Sequence, residues 1–205
     1  MMISKTFKIF SVVTLLFSLT SCIETVVLGS AATGAIVMRE KSLTDTTHDA
    51  TISTKMGAHF IAEGLKNVGN SVDITVNEGR VLLTGAVRKE DNVKLASKLA
   101  WKTPKVKEVI NEIHIRDDKA MRPRNFSNSI VDYFLTTRVE IKLFALKDVS
   151  SINYKITTVD KVVYLLGVAK DDAEIRKVLN SISKIRGVNK VVNHIILVGD
   201  ARRRG

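Results

Sequence analysis

The chain of 205 residues has one cysteine, two prolines and eleven glycines. A single thiol excludes a disulfide framework and a zinc cage built from cysteines. So few glycines and prolines exclude a chain dominated by low-complexity sequence. There is no glycine-rich phosphate loop, and no serine or cysteine stands in a motif with a neighbouring base. His48, His59, His114 and His194 share no metal-ligand spacing. His114 and His194 follow apolar strand positions and are read as surface or edge residues. The acidic pairs Glu90-Asp91 and Asp171-Asp172 fall at helix starts, where capping and the helix dipole account for them. These absences point away from an enzyme, a metal site and a cofactor. Long apolar runs are also missing: Ile9–Leu19 and Val26–Met38 are both too short to span a bilayer with confidence.

What is present is a core and a charge. Hydrophobic residues make up 45% of the chain, enough to bury an interior. The formal net charge is +11 and the pI about 9.8, which suggests an anionic partner: nucleic acid, an anionic membrane or an acidic protein.

The organising feature is a repeat. Arg80-Val-Leu-Leu-Thr-Gly85-Ala-Val-Arg-Lys-Glu-Asp91 returns as Val162-Val-Tyr-Leu-Leu-Gly167-Val-Ala-Lys-Asp-Asp172. Each copy reads as a strand that bends at its glycine and hands over to a helix start. The same offset carries Val72/Ile74/Val76 onto Tyr154/Ile156/Thr158. It also carries Val106-x-x-Val-Ile-Asn-x-Ile113 onto Val188-x-x-Val-Val-Asn-x-Ile195. Two copies of this length indicate two similar small domains in tandem.

In the first copy, about residues 46–116, Asp45 to Asp49 offer N-caps to a helix whose face is Ile52, Met56, Phe60 and Leu65. Gly57, Gly64 and Gly69 weaken that helix. Asn77-Glu-Gly79 is a hairpin turn signal, Asp91 is a cap for a helix ended by Pro104, and Val106–Ile115 is the last strand. The order is α-β-β-α-β, an α+β unit. Residues 117–126 are polar and read as a linker. The second copy, about 127–200, has the same order. Ser129-x-x-Asp132 resembles a capping box, and Val131, Leu135, Val139 and Leu143 form one helical face. Strands follow at Tyr154–Val159 and Val162–Ala169, a helix at Asp171–Lys184 and a strand at Val188–Val198. Residues 201–205 are a basic tail read as disordered.

Residues 1–21 carry an export signal pattern, with Lys5 and Lys8 ahead of the apolar Ile9–Leu19. Leu19-Thr-Ser-Cys22 resembles the bacterial lipobox, which implies cleavage before Cys22 and attachment of lipid to its sulfur. The alternative is an ordinary buried thiol. An aspartate after the cysteine would resemble the inner-membrane retention signal of many lipoproteins; Ile23 stands there instead, which by that resemblance implies the outer membrane. Residues 22–45 are then a lipidated leader or linker. Two α-β-β-α-β units, each with a glycine-bent second strand and a final Val-x-x-Val-(Ile/Val)-Asn-x-Ile strand, resemble BON domains. With the lipobox, they resemble the dual BON-domain outer-membrane lipoproteins of Gram-negative bacteria. The resemblance implies three-stranded mixed sheets, each with two helices on one face. It also implies no catalysis, a periplasm-facing lipid-anchored protein, support of envelope integrity, and binding of anionic phospholipid by the first helix of the second unit. One departure is that Gly79 is replaced by Lys161 in the second copy, so a different turn is expected there.

Charge and aromatics separate the copies. Residues 22–116 hold 13 basic and 11 acidic residues; residues 117–205 hold 17 and 10. Tyr133, Phe134 and Phe144 align near Ala50, Thr51 and Ile61. Phe134 and Phe144 lie off the apolar stripe, beside Arg138, Lys142 and Lys147, a pattern that suits an anionic lipid surface. The alternative packs both rings against the first copy or against Phe126. The expected partner is therefore an anionic phospholipid membrane, contacted by Tyr133, Phe134, Arg138, Lys142, Phe144 and Lys147. The rival is a protein-interaction module docking on envelope or cell-wall assembly machinery. Export disfavours nucleic acid.

Overall fold

The computed structural model describes residues 43–67, 69–116 and 126–203. The signal, Cys22, most of the leader, linker residues 117–125 and Arg204 lie outside the described residues. The first domain runs α1 (Leu43–Ala62), β1 (Lys66–Asn67), β2 (Asn70–Asn77), β3 (Arg80–Val87), α2 (Glu90–Lys102) and β4 (Glu108–Ile115). The second runs α3 (Phe126–Phe144), a 3-10 turn (Ser151–Asn153), β5 (Tyr154–Val159), β6 (Val162–Ala169), α4 (Asp172–Ser183), β7 (Lys190–Leu197) and a closing 3-10 turn (Ala201–Arg203). α1 thus begins inside the stretch read as leader, and Phe126, read as linker, opens α3.

Each domain forms a mixed sheet. β3 pairs antiparallel with β2 and parallel with β4; β6 does the same with β5 and β7. The first sheet gains a fourth strand, because Lys66-Asn67 doubles back on Asn70-Ser71 along the edge of β2. Ile52, Met56 and Phe60 of α1, with Ala96 and Ala100 of α2, pack on Val81, Leu83 and Val87. Val139 and Leu143 of α3, with Val178 and Ile182 of α4, pack on Val163, Leu165 and Ala169.

The capping residues act differently from the sequence expectation. Asp49 and Asp132 are buried within their helices instead of capping them. The Asp49 carboxylate accepts the backbone N–H groups of Glu78 and Gly79, both at 2.9 Å. The Asp132 carboxylate accepts those of Asp160 and Lys161, again at 2.9 Å. Each helix therefore holds its own hairpin by the two outward-pointing donors of the turn. Both central residues of each turn have positive φ, including Lys161 at 64°, so the second hairpin uses the same turn as the first. Lys161 is held in a conformation that costs a side-chain-bearing residue about 1–2 kcal/mol, because the carboxylate fixes its N–H. Asp91 does not cap α2: Lys89 is the N-cap and makes no side-chain bond there. Asp171 does cap α4, accepting Glu174 N at 2.8 Å, while Glu174 accepts Lys170 N and the Tyr154 hydroxyl. Burial and this carboxylate push the Tyr154 hydroxyl well above the ordinary range.

Gly85 has φ 105°, and a Cβ there would stand 1.9 Å from the Ser71 carbonyl oxygen. Gly167 lacks the positive φ and is required by close approach instead, with the Asn153 carbonyl oxygen 2.8 Å from a would-be Cβ.

The faces of the two sheets that carry no helices pack on each other. Leu82, Tyr164, Leu166 and Val159 form a third buried cluster, joined by Ile110, Val162 and Val192. Equivalent residues meet across this seam. The Thr75 and Thr157 hydroxyls are 2.6 Å apart, and His194 Nε2 lies 2.9 Å from Glu112 Oε1, each pair separated by one repeat of 82 residues. Such self-matching contacts define an approximate twofold axis between the domains. His114 Nε2 lies 3.1 Å from the Tyr164 hydroxyl, so both histidines read as edge residues belong to the seam. Arg80 is fully buried there, with Nε donating to Glu108 Oε2 at 2.5 Å. The described part of the basic tail, Ala201–Arg203, forms a 3-10 turn and does not match the disorder expected of it. Arg202 pairs with Asp200 and Glu108, and Arg203 Nε donates to Glu78 Oε2 at 2.7 Å, so buried Glu78 and partly buried Glu108 in the first domain hold the end of the second.

Replacing Asp49 or Asp132 by alanine strands two N–H groups and is expected to cost about 2–4 kcal/mol each. The measurement is the urea midpoint at unchanged slope; a loss below about 0.5 kcal/mol would refute the clasp.

Candidate functional site

Helix α3 has two apolar faces. On one, Leu135, Val139 and Leu143 are buried in the second domain. Val131, expected on that face, is about a third exposed, and Asp132 takes the buried position. Thr136 anchors the same side by donating to the Thr158 hydroxyl at 2.8 Å. On the opposite face stand Ile130, Phe134, Thr137, Ile141 and Phe144, spaced alternately by four and three residues. At 100° per residue this spacing keeps them in one stripe along the helix. Tyr133 borders the stripe, its ring edge-on to that of Phe134 with centroids 6.0 Å apart. Exposure is 69% for Tyr133, 57% for Phe134, 64% for Ile141 and 82% for Phe144.

Arg138 and Lys142, one turn apart, lie along one flank and are exposed; Lys147 follows in the turn after the helix and is exposed as well. Among the described residues no carboxylate pairs with these three cations. Glu140 lies on the other flank. The structure thus places Tyr133, Phe134, Arg138, Lys142 and Phe144 on one outward surface, with Lys147 beyond its end; Cys22 lies outside the described residues. Neither phenylalanine is buried against the first domain. Ile130 and Ile141 complete the stripe and were missed from the sequence, although the four-three spacing of apolar residues between the core positions was there to be read.

The first domain serves as an internal control. Asp49 and Asp132 do the same work, so α1 aligns with α3 at that pair. The α1 residues matching Ile130, Tyr133, Phe134, Thr137, Ile141 and Phe144 are then Thr47, Ala50, Thr51, Thr54, Ala58 and Ile61. The Thr51 and Thr54 hydroxyls fold back onto helix carbonyls one turn earlier. Apart from Ile61, which is 65% exposed, the matching outer positions of α1 are small or polar, where α3 carries aromatic and branched aliphatic side chains. Contiguous exposed apolar patches are uncommon on soluble domains. Among the described residues no helix is long and apolar enough to cross a membrane, and no cluster of potential metal ligands occurs.

Two α-β-β-α-β domains seated back to back, with one helix apolar on its outside, define a tandem α+β protein organised around a surface. The BON domain model matches residues 48–117 and 135–199, and the chain belongs to the BON domain family with two copies of the domain. It is 32% identical over 156 residues to an uncharacterized protein in the gshII 5' region of Anaplasma centrale, covering 76% of this chain and 99% of that one. It is 27% identical over 175 residues to the outer membrane lipoprotein DolP of Haemophilus influenzae, covering 85% and 87%. A solved structure of CdsD, a structural protein of the type III secretion system of Chlamydia trachomatis, overlaps with a TM-score of 0.26 at 19% identity, covering 73% of this chain and 63% of that one. An overlap that loose carries no structural argument.

The two faces of α3 are expected to separate in stability. Serine at Phe134, Ile141 or Phe144 should change unfolding free energy by less than about 0.5 kcal/mol. Serine at Leu135, Val139 or Leu143 should cost about 3 kcal/mol or more, because a core side chain is lost and a hydroxyl is buried. Equal effects on the two faces in chemical denaturation would show that the outer stripe is packed in solution.

Proposed function

We propose that this chain is a non-enzymatic lipoprotein of the outer membrane, facing the periplasm, that binds anionic phospholipid through α3 of its second BON domain and supports envelope integrity. The observation that carries this reading is the outer stripe of α3, apolar at its centre and cationic on one flank, opposite a conventional core face. Similarity to DolP over most of both chains supports the envelope assignment. The lipobox-like Leu19-Thr-Ser-Cys22 supports an acylated Cys22. The sulfur of Cys22 carries diacylglycerol, and the chain is tethered where α3 can reach the same surface.

The magnitudes suit a peripheral contact. Fully burying an aromatic or branched aliphatic side chain contributes about 1.5–3 kcal/mol. Each lysine or arginine near an anionic leaflet adds about 1 kcal/mol, screened by salt. Tyr133, Phe134, Ile141 and Phe144, only partly inserted, together with Arg138, Lys142 and Lys147, give several kcal/mol. That is reversible binding by itself, and firm binding when joined to acyl chains at Cys22.

A second reading, a module docking on envelope or cell-wall assembly proteins, draws on the first domain. Ile61 and Trp101 are exposed on its helical side. Photocrosslinks from α3 that reach protein instead of lipid would favour it.

The test uses the chain from residue 23 onward, which retains both domains and removes the acyl group. It should float with vesicles containing phosphatidylglycerol and not with pure phosphatidylcholine vesicles, and binding should weaken as salt rises. Phe134→Ser with Phe144→Ser should reduce flotation more than tenfold with unchanged circular dichroism. Equal flotation with neutral vesicles, or a cysteine without fatty acid by mass spectrometry of the mature protein, overturns the proposal.

A further inference from the structure

Beside the C-terminal half of α3 lies a cavity of about 480 Å³, lined by Ile141, Phe144, Ile152, Tyr154 and Ile156 among others. Its size falls within the range of small-molecule sites. Ser151 contributes a single hydroxyl to the lining, and the other neutral polar side chains are already engaged. The Tyr154 hydroxyl donates to Glu174 at 2.7 Å, and the Thr75 hydroxyl, contributed by the first domain, is 2.6 Å from that of Thr157. The cavity therefore has no polar set with which to read a sugar or a nucleotide. Its charged lining is one exposed lysine, Lys155 on β5, and one exposed carboxylate, Glu140 on α3.

Two of the lining residues belong also to the outer stripe. Ile141 and Phe144 are 64% and 82% exposed and form the part of that stripe nearest the cavity. Apolar surface is thus continuous from the outside of α3 into the cavity, with a cation available for a phosphate. Thr75 makes the wall a joint product of both domains, since the seam must be closed for it to reach the second domain.

We infer that this cavity takes one acyl chain of a membrane phospholipid, drawn over Ile141 and Phe144 from the surface on which α3 rests, with the lipid phosphate at Lys155. This rests on the lipid-surface reading above and adds a stoichiometric site to it. A surface stripe alone binds a bilayer and no single lipid; a cavity binds one lipid molecule even without a bilayer.

The experiment measures binding of palmitoyl lysophosphatidylglycerol below its critical micelle concentration to the chain from residue 23 onward, followed by isoleucine methyl NMR. The expected result is saturable one-to-one binding that shifts the Ile141, Ile152 and Ile156 methyl signals. Ser151→Trp, which fills the cavity from its lining, should weaken that binding at least tenfold while flotation on anionic vesicles stays within twofold. Lys155→Glu should also weaken it without changing the fold seen by NMR. Tyr133→Ser with Phe134→Ser, both outside the cavity, should do the reverse. Non-saturable shifts, or binding indifferent to Ser151→Trp, overturn the cavity site and leave the surface reading standing. Monomer binding with no vesicle flotation overturns the surface reading instead. Loss of both activities on Ser151→Trp with intact NMR dispersion shows one undivided surface and also overturns the cavity site.

Discussion

The contact between the two helix-free sheet faces governs the rest of this structure. A central strand flanked on both sides has two faces to cover, and helices cover only one. β3 and β6 are buried along nearly their whole length because the second face of each is covered by the other domain. Strands of this kind read as almost continuous apolar runs instead of alternating ones. Once Leu82, Tyr164 and Leu166 are sealed together, the helical layers must face outward on opposite sides. The outer surface of α3 is then set apart from everything in the first domain except the edge that carries Thr75.

The seam also explains where charge is spent. Buried Arg80 pairs with partly buried Glu108, and Glu108 in turn receives Arg202. A buried ion pair is a weak source of net stability, because both ions lose water. Its effect here is positional: Arg80 has Val162 as its counterpart in the second domain, so the pair breaks the approximate symmetry of the seam. Arg203 on Glu78 and Arg116 on Asp160 join the turn of each domain to the other domain. Part of the positive excess that suggested an anionic ligand is thereby internal. The cations that remain beside the α3 stripe, Arg138, Lys142 and Lys147, are a small subset of it.

The repeats show which parts of the fold are constrained and which are free. The aspartate that holds the hairpin, the glycine at the close approach and the final-strand asparagine recur in both copies. Asn111 and Asn193 each accept the N–H of the residue two further on, satisfying the exposed donor of an edge strand. The solvent side of the first helix differs in kind, as do Arg80 against Val162 in the seam and the extra edge strand of the first sheet. Phe134 and Phe144 are both exposed, and nothing in the fold requires either to be aromatic.

Sequence alone determined the doubled α-β-β-α-β order, the strand positions of the second domain nearly to the residue, and the separation of Phe134 and Phe144 from the core stripe. These follow from local periodicity and turn chemistry, which are written along the chain. The roles of Asp49, Asp132, Arg80, His194 and the arginine tail came only with tertiary structure. Each depends on a partner some 28 to 125 residues away, and a polar residue looks the same in sequence whether it caps its own helix, clasps a distant turn or faces water. The seam was half visible, in Leu82 and Leu166 at strand positions that should have faced solvent. Which surface would cover them was a matter of long-range packing, where apolar contact has no direction of its own and only shape and symmetry choose the partner.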